Sequence, residues 1–310
     1  MTSTTSAPSI LMISAAETPD KISMIDQFAH ALAGQLRNYG VKWATYRDVG
    51  MTVLDGQLRA FLIADDRSVT DFSAVYFKSY GSYFEQAVAL AEILEAAGVP
   101  FGGKELLHNV PEHKLSQMTR LAVAGLPQPD TLYLPMEHYL GRFDHIRQLL
   151  GVPFIFKAID GKKGKDNYLV SDEKALADLV SEHAERHFIA QKFIPNDGDL
   201  RLVIVRQKIQ LIMKRQRTSE ATHLNNTSTG ATAQLVPIET FDEGLAGISL
   251  RAAESMQRDI TGVDLLVERS TNKPYILEVN ASPQLASGAF VAEKLAIVAD
   301  YVTKLVESKE

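Results

Sequence analysis

Apolar and polar positions follow two different periods along the first third of the chain. Helical spacing of apolar residues predicts helices at Ile22–Tyr39 and at residues 83–97. Between and around them, short apolar runs predict strands: SILMIS (Ser9–Ser14), VKWATY, LRAFLIA and AVYFK. Strands that alternate with helices are typical of βαβ units, so an open parallel sheet is predicted up to about Asn109.

The same reasoning continues to the C-terminus and gives α/β or α+β units in series. The predicted helices are His113–Gly125, Phe143–Leu150, Ala175–Ala184, Gly244–Ile260 and Ala289–Val306. The predicted strands are Leu132–Leu134, Pro153–Lys157, Phe188–Gln191, Leu200–Val205, Ile209–Arg217, Val263–Val267 and Tyr275–Val279. We therefore expect three domains, at residues 1–110, 111–190 and 191–310, with residues 1–8 as a disordered tail.

One predicted strand, in YILEVNASPQL, carries polar residues among apolar ones. Glu278 and Asn280 alternate with apolar neighbours and so share one face, together with Ile276. The preceding strand, in GVDLLVERSTNKP, precedes a turn-forming segment, and a five-residue hairpin loop would pair Glu268 with Pro274. That register places Asp264 opposite Glu278, and two facing carboxylates repel unless a cation lies between them. Oxygen ligands favour Mg²⁺ or Mn²⁺. A solvent-exposed polar edge is the alternative.

Composition and charge limit the possible functions. The chain has 310 residues, no Cys and a net charge of −6. The acidic balance argues against a general nucleic-acid binder, no apolar run is long enough to span a membrane, and the absence of Cys agrees with a cytoplasmic location. Residues 157–217 nevertheless carry 13 Lys or Arg against 9 Asp or Glu, which suggests a local anionic ligand such as phosphate.

Four further stretches carry chemistry-bearing side chains. Lys157 ends a strand and precedes a loop with glycines and lysines, FIFKAIDGKKGKDNYLV. A short linker follows Gln191, then Asp199 and Arg201 open the next strand. Arg215 and Arg217 share one face of IQLIMKRQR, and HLNNTSTG supplies two amides. Glycines let the backbone approach phosphate oxygens, and arginines suit developing oxyanions. Taken singly, the Gly/Lys loop and the polar loop are more often solvent-facing turns, and the linker is more often an ordinary domain connection.

In this order, the stretches resemble the ATP-grasp ligases, and most closely their RimK-type, glutamate-ligase-like branch. EVNASP, DLR and GVDLL carry the resemblance, which extends over about Pro111–Leu285. It implies an α/β and α+β fold in which a pre-grasp α/β domain precedes two α+β subdomains that hold the nucleotide between them. The implied activity is ATP-dependent carboxylate–amine ligation through an acyl phosphate, with ATP and Mg²⁺ (or Mn²⁺) as cofactors.

The resemblance also implies roles for individual residues. Arg201 and Arg215 are expected to act on the substrate and the transferred phosphate, and Asp264, Glu278 and Asn280 on the metal. The residues expected at the nucleotide are Lys114, Lys157, Gly161, Lys163, Gly164, Gln191, Lys192, Phe193, Asp199 and Asn225. The expected partners are amino-acid or peptide carboxylates and amines, with no nucleic acid or membrane, and a homo-oligomer is possible.

The chain departs from the family pattern at four positions. Asp166 replaces a usual Gly, Lys192 a usual Glu and His223 a usual Arg. The residues after EVNASP are Gln284-Leu285, where the branch usually has Gly and a substrate-side Glu, which puts glutamate as substrate in doubt. Two alternatives stay open: a catalytically silent ATP-binding regulatory module, and a ligase of another ATP-grasp branch, D-alanine–D-alanine-like or peptide-cyclising.

Overall fold

A computed structural model describes residues 8–108, 113–161, 164–218, 223–225 and 230–308. Residues 1–7 of the predicted tail and Lys163 of the predicted nucleotide site lie outside these ranges. The helices are α1 Pro19–Gln35, α2 Phe84–Ala96, α3 Lys114–Val123, α4 Phe143–Leu150, α5 Glu173–Glu182, α6 Glu243–Ser255 and α7 Val291–Glu307. No helix in the described part is long and apolar enough to cross a membrane.

Fifteen strands are described. They are β1 Ser9–Ser14, β2 Gly40–Thr45, β3 Val49–Leu54, β4 Gln57–Leu62, β5 Ala74–Ser79, β6 Phe101–Gly102, β7 Thr131–Tyr133, β8 Phe154–Ala158, β9 Asn167–Val170, β10 Phe188–Lys192, β11 Asp199–Val205, β12 Lys208–Gln216, β13 Thr232–Leu235, β14 Ile260–Val267 and β15 Pro274–Asn280.

The contacts divide the chain into two compact units. The first contains residues 1–110, 257–260 and 281–310, and the second contains residues 111–256 and 261–280. The last thirty residues, which the sequence placed in the C-terminal domain, thus belong to the unit of the first 110 residues.

The first unit contains the predicted parallel sheet, in the order β2-β1-β5-β6. Alternate side chains of β5 pack on opposite faces. Phe77 joins the core cluster that α2 covers. Tyr76 contacts Tyr301 of α7 edge-to-face, with ring centroids 6.1 Å apart, and Lys78 lies over Phe28 of α1. Helices α1 and α7 therefore cover the second face.

The predicted strand LRAFLIA is not part of this parallel sheet. It forms β4, which pairs antiparallel with β3 in a separate two-stranded hairpin. The turn residues Asp55 and Gly56 have φ of 48° and 76°. Asp-Gly with two positive φ values is the preferred two-residue hairpin turn, because its twist matches that of the strands. The signal was present in the sequence, and the parallel assignment was wrong.

The second unit contains two mainly antiparallel sheets. The four-stranded sheet has the order β7-β10-β8-β9, and its core cluster packs with residues of α4 and α5. The five-stranded sheet has the order β13-β12-β11-β14-β15, and its core cluster includes residues of α3 and α6. The polar side chains expected to bind metal and substrate all lie on the second of these sheets.

Candidate active site

Two carboxylates face each other across β14 and β15. Asp264 is the register partner of Glu278, as predicted. The prediction for the turn was wrong, because Pro274 pairs with Val267 rather than with Glu268. A β-bulge lies between these two pairs of residues, because Leu265 pairs with Ile276 and leaves Leu277 as an extra residue on β15. The bulge shifts the register by one residue, so the predicted pairing holds at Asp264 and fails at the turn.

The bulge also changes which side chains are buried. Ile276 and Val279 both belong to the core cluster of the five-stranded sheet, so Ile276 does not share the polar face, contrary to the prediction. Leu277 packs instead against a smaller cluster of Ile194, Leu266 and Tyr275. One extra residue therefore keeps the apolar side chains of β15 in the core while Glu278 faces Asp264.

Two buried arginines surround Asp264. Arg201 on β11 donates to both of its oxygens, from Nε at 2.6 Å and from Nη2 at 2.5 Å. Arg215 on β12 donates to both oxygens of Asp199, its cross-strand partner, at 2.6 and 2.8 Å, and its Nη2 lies 3.2 Å from Asp264 Oδ2. Each of these four residues is at most 8% exposed. The geometry gives two forked, charge-assisted pairs, Arg201 with Asp264 and Arg215 with Asp199, which the contact of Arg215 with Asp264 connects.

The arginines control the charge of the two carboxylates. Burial opposes ionisation of Asp264, but Arg201 and Arg215 outweigh it and hold the pKa of Asp264 below its usual value. Burial raises the pKa of Asp199 to about 6, although Arg215 acts against that shift. Asp264 has two arginines and Asp199 mainly one, so Asp264 is the carboxylate that stays ionised to lower pH.

Asn280 connects Glu278 to this arrangement. In the amide orientation that satisfies both neighbours, its nitrogen donates to Glu278 Oε1 at 2.8 Å and its oxygen accepts from Arg201 Nη2 at 3.2 Å. Asp264, Glu278, Asn280 and Arg201 are thus brought together as the sequence proposed. The pairing of Arg201 with Asp264 was not expected, because the resemblance assigned Arg201 to the substrate and Asp264 to the metal.

Two lysines lie close enough to act on each other electrostatically. Lys157, near the end of β8, is 8% exposed. Burial, and to a smaller extent the charge of Lys114, lower its pKa to about 8, and Glu278 acts in the opposite direction. Lys114, the first residue of α3, donates from Nζ to the Gly161 carbonyl. The three predicted nucleotide residues Lys114, Lys157 and Gly161 therefore lie near one another.

The loop between β8 and β9, residues 161–165, will be called the lysine loop. A Cβ at Gly161 would lie 2.9 Å from the Lys165 carbonyl oxygen, which leaves no room for a side chain. Gly164 and Asp166 have positive φ, 77° and 54°. The left-handed conformation of Asp166 explains why glycine suits this position and how aspartate is tolerated. Arg186 bonds Asp160 and Asp166, one on each side of the loop.

The linker after β10 lies beside the apolar cluster that contains Ile194. Gln191 is buried and donates through Nε2 to Thr131 Oγ1 at 2.8 Å. The backbone nitrogen of Lys192 donates to the Asp130 carbonyl, and its Nζ lies 3.7 Å from Asp130 Oδ2. Phe193 is half-buried. Lys192, where the family usually has Glu, thus forms an exposed ion pair with Asp130.

Asn196 is a buried polar residue that sequence reasoning missed. Its side-chain oxygen accepts from Asn225 Nδ2 at 3.0 Å and from the Gly198 nitrogen at 3.1 Å. Arg217 donates to the Asn196 carbonyl at 3.0 Å. Asn225, predicted near the nucleotide, is therefore held by Asn196. The only signal was the turn-forming composition of PNDGD, which predicts a turn and no contact with residue 225.

The donor set of Asp264, Glu278 and Asn280 fits magnesium. Among the described residues no three His, Cys, Asp or Glu side chains form a ready-made metal cluster. Magnesium commonly binds one or two protein carboxylates and takes its other ligands from water and substrate phosphates. Asp264 and Glu278 supply two carboxylates, which matches this pattern, and Asn280 adds an amide oxygen next to them.

Comparison with solved structures defines the class of fold. The chain aligns over 96% of its length with the ATP-grasp ligase PsnB complexed with minimal precursor, Mg and ADP, at a TM-score of 0.68 and 14% identity. It aligns over 98% of its length with D-alanine–D-alanine ligase from Bacillus anthracis complexed with ATP, at a TM-score of 0.68 and 17% identity. The alignments cover 97% of each solved chain. The fold is the ATP-grasp fold.

The sequence identifies the branch within that fold. The profile of the RimK-like ATP-grasp domain matches residues 112–300, and the chain belongs to this family. A "Probable alpha-L-glutamate ligase" of Nitrosococcus oceani is 29% identical over 236 residues, which cover 73% of this chain and 76% of that protein. The family match confirms the RimK-type assignment. The structural neighbours alone do not, because they include two kinds of ligase at equal TM-score.

Proposed function

We propose that this chain is an ATP-dependent ligase that joins a carboxylate to an amine, with an amino acid or a peptide among its substrates. The observation that carries the proposal is a polar group on the four neighbouring strands β12, β11, β14 and β15, inside the range that the RimK-like profile matches. Its members Arg201, Arg215 and Asp264 are buried, and Glu278 and Asn280 are half-buried. Buried charges cost stability, so such a concentration of them favours a functional role.

The basic residues of the second unit fit the phosphates of ATP. Lys157 is buried and Lys114 lies close enough to lower its pKa, so the two ammonium groups repel until an anion arrives. The backbone of the lysine loop approaches closely at Gly161, and Gly164 adopts a conformation that glycine favours. We assign Lys114, Lys157, Gly161, Lys163 and Gly164 to the phosphates, and the linker residues Gln191, Lys192 and Phe193 to adenine.

Ribose and metal involve residues that are already engaged with arginines. Both oxygens of Asp199 contact Arg215, so binding of a ribose hydroxyl requires Asp199 to share or exchange that partner. Asp264, Glu278 and Asn280 would hold Mg²⁺ (or Mn²⁺), which supplies positive charge that neutralises phosphate oxygens. Asn225, held by Asn196, is assigned to the nucleotide side of the site.

The reaction we assign has two steps. A substrate carboxylate oxygen attacks the γ-phosphorus of ATP and ADP leaves, which gives an acyl phosphate. The amine then attacks the acyl carbon, phosphate leaves with the C–O bonding pair, the amine loses a proton and an amide forms. Arg201 and Arg215 stabilise negative charge on the transferred group. In this scheme the chain supplies positioning and electrostatics rather than a side-chain nucleophile.

A hydroxylamine trap tests this proposal without knowledge of the amine. The chain, ATP and magnesium are mixed with hydroxylamine and a panel of carboxylates, with L-glutamate first because the curated relatives are named as glutamate ligases. An acyl phosphate reacts with hydroxylamine to a hydroxamate, which mass spectrometry detects. We expect one carboxylate to give a hydroxamate with matching ADP. Binding of ATP without hydroxamate for the whole panel would favour the silent regulatory module. The cytoplasmic location and a homo-oligomer remain predictions.

A further inference from the structure

Gln117 is a buried polar residue of the second unit to which the proposed reaction gives no role. It is 5% exposed and shares the buried face of α3 with Leu121. Buried polar side chains in folded proteins have hydrogen-bond partners. Gln117 Oε1 accepts from the backbone nitrogen of Val279 at 2.9 Å. Val279 lies on β15 between Glu278 and Asn280, so α3 is bonded to β15 at the residue between two proposed metal ligands.

A second hydrogen bond holds the same edge of β15. Among the described strands β15 is the last of its sheet, so its outer N–H groups find their partners outside the sheet. The backbone nitrogen of Ile276 donates to the Pro127 carbonyl at 2.8 Å, in the segment that follows α3. In a regular antiparallel strand, N–H groups on one edge alternate and are separated by an even number of residues. Ile276 and Val279 are three residues apart, so this stretch of β15 is not regular.

The β-bulge explains the odd spacing, and the metal site depends on the bulge. Leu277, the extra residue, lies between the two bonded positions. Without the bulge, the register at the turn would continue and place Leu277 opposite Asp264. Glu278 would then point to the opposite face of the sheet, away from Asp264. The two outer hydrogen bonds form together only while the bulge lies between them, so they stabilise the register that the metal site needs.

We propose that Gln117 is a positioning residue for the metal site, because its side chain fixes the bulge that keeps Glu278 opposite Asp264. The inference rests on the proposed function, which assigns a divalent cation to these carboxylates. Pro127 accepts through its backbone, whereas the bond from Val279 requires the side-chain oxygen of Gln117. Without that oxygen the bulged strand has a buried N–H that lacks its acceptor, whereas in the register without the bulge this N–H turns toward β14.

Binding of Mn²⁺ to the full chain tests this role without requiring turnover. Electron paramagnetic resonance measures free Mn²⁺ in a titration of the chain with ADP, and a titration of ADP alone corrects for the Mn²⁺ that ADP binds by itself. Gln117→Met should raise the dissociation constant for Mn²⁺ about 10- to 100-fold, the usual effect of removing a group that orients metal ligands. Gln128→Met is the matched control, because Gln128 bonds the Met118 carbonyl of the same helix, and it should stay within about twofold of the parent.

Two further variants separate positioning from general stability. Gln117→Glu keeps an acceptor oxygen for the Val279 N–H but adds a buried negative charge, so it should melt below the parent. Its affinity for Mn²⁺ should nevertheless stay within about threefold of the parent or be tighter. Gln117→Asn keeps the amide but withdraws its oxygen by one methylene group, so it should lose affinity in the same direction as Gln117→Met. This milder variant carries the test if Gln117→Met does not fold.

These outcomes distinguish the inference from the function on which it rests. If the parent binds no Mn²⁺ beyond that held by ADP alone, the metal assignment of the proposed function fails, and the role of Gln117 fails with it. If the parent binds Mn²⁺ and the Met and Asn variants bind it within about threefold of the parent, the role of Gln117 is wrong although the metal site stands. An equal loss of Mn²⁺ affinity in Gln117→Glu and Gln117→Met, in step with their melting temperatures, identifies Gln117 as a structural residue and overturns the proposal.

Discussion

Lys157 carries its charge in a buried position, and this makes stability depend on pH. The pKa of its ammonium is lowered from 10.5 to about 8 in the folded chain, mainly by burial. Between these two values the unfolded chain binds more protons than the folded chain, so the free energy of unfolding rises with pH. The contribution of Lys157 approaches about 3 kcal/mol across this window, at roughly 1.4 kcal/mol per unit.

We therefore expect Lys157→Met to remove a rise in stability between about pH 8 and 10.5. Urea unfolding of the parent and the variant at several pH values measures the difference, which cancels groups that titrate in both proteins. Lys208→Met is the matched control, because Lys208 is exposed on β12 of the same unit. Parallel curves for parent and Lys157→Met across this range would contradict the buried charge.

Arg215 is tied to two carboxylates, so its removal affects stability as well as the reaction. Arg215→Ala leaves Asp199 as a buried carboxylate without its forked partner and weakens the environment of Asp264. Breaking one side of a buried ion pair costs roughly 3–5 kcal/mol. We expect a loss of that size in urea unfolding, and a substantial recovery in the double variant Asp199→Asn, Arg215→Met. A loss below about 0.5 kcal/mol for Arg215→Ala would show that the pair contributes little.

The charge repulsion between Glu278 and Asp264 is weaker than the sequence indicated, because Arg201 and Arg215 already neutralise the charge of Asp264. Glu278→Gln should therefore leave the melting temperature of the apo chain nearly unchanged. Magnesium–ATP at a hundred times its dissociation constant should stabilise the parent by roughly 2.7 kcal/mol. The variant should lose most of this shift, since one proposed metal ligand becomes a neutral amide. Glu268→Gln, at the turn of the same hairpin, is the control that should keep it.

At the scale of elements, the sequence predicted strongly periodic segments well and short strands poorly. Strand β1 and helix α4 have the predicted bounds. The strands β3, β9 and β13 were missed, because they are short and largely half-buried or exposed, so their apolar pattern is weak. The helix predicted over Gly244–Ile260 ends at Ser255, where Gln257 with φ of 54° turns the chain into β14.

In the candidate site, too, the sequence pattern predicted the strand register but not the side-chain contacts between distant segments. The pairing of Asp264 with Glu278 was predicted from strand alternation and an assumed turn. The turn was wrong by one residue, since Pro274 pairs with Val267 and not with Glu268, and the β-bulge restores the predicted register at Asp264. The contacts of Arg201 with Asp264 and of Asn196 with Asn225 join strands and loops distant in sequence. Strand periodicity carries no information on such pairings, because they depend on the order of strands in the sheet.

The lysine loop is the element whose state should depend most on the nucleotide. Its described residue Lys165 is exposed, and Arg186 holds the segments on both sides of the loop. We expect trypsin to cut the apo chain after Lys162, Lys163 or Lys165, and magnesium–ATP to slow this cutting at least about tenfold. Cutting after Lys208 in the same digests is the internal control. Equal rates in both states would identify the loop as a solvated turn.

At the scale of the whole molecule, the RimK-like ATP-grasp assignment and the buried charges on the five-stranded sheet lead to one chemical claim, the transfer of the γ-phosphoryl group to a carboxylate. The most direct measurement uses the carboxylate found by the hydroxylamine trap, labelled with oxygen-18 in both oxygens. In a reaction with ATP, magnesium and the amine, the account predicts one oxygen-18 atom in each phosphate released, because the acyl phosphate breaks at its C–O bond. Unlabelled pyrophosphate alongside labelled AMP, or amide formation with unlabelled phosphate, would contradict it.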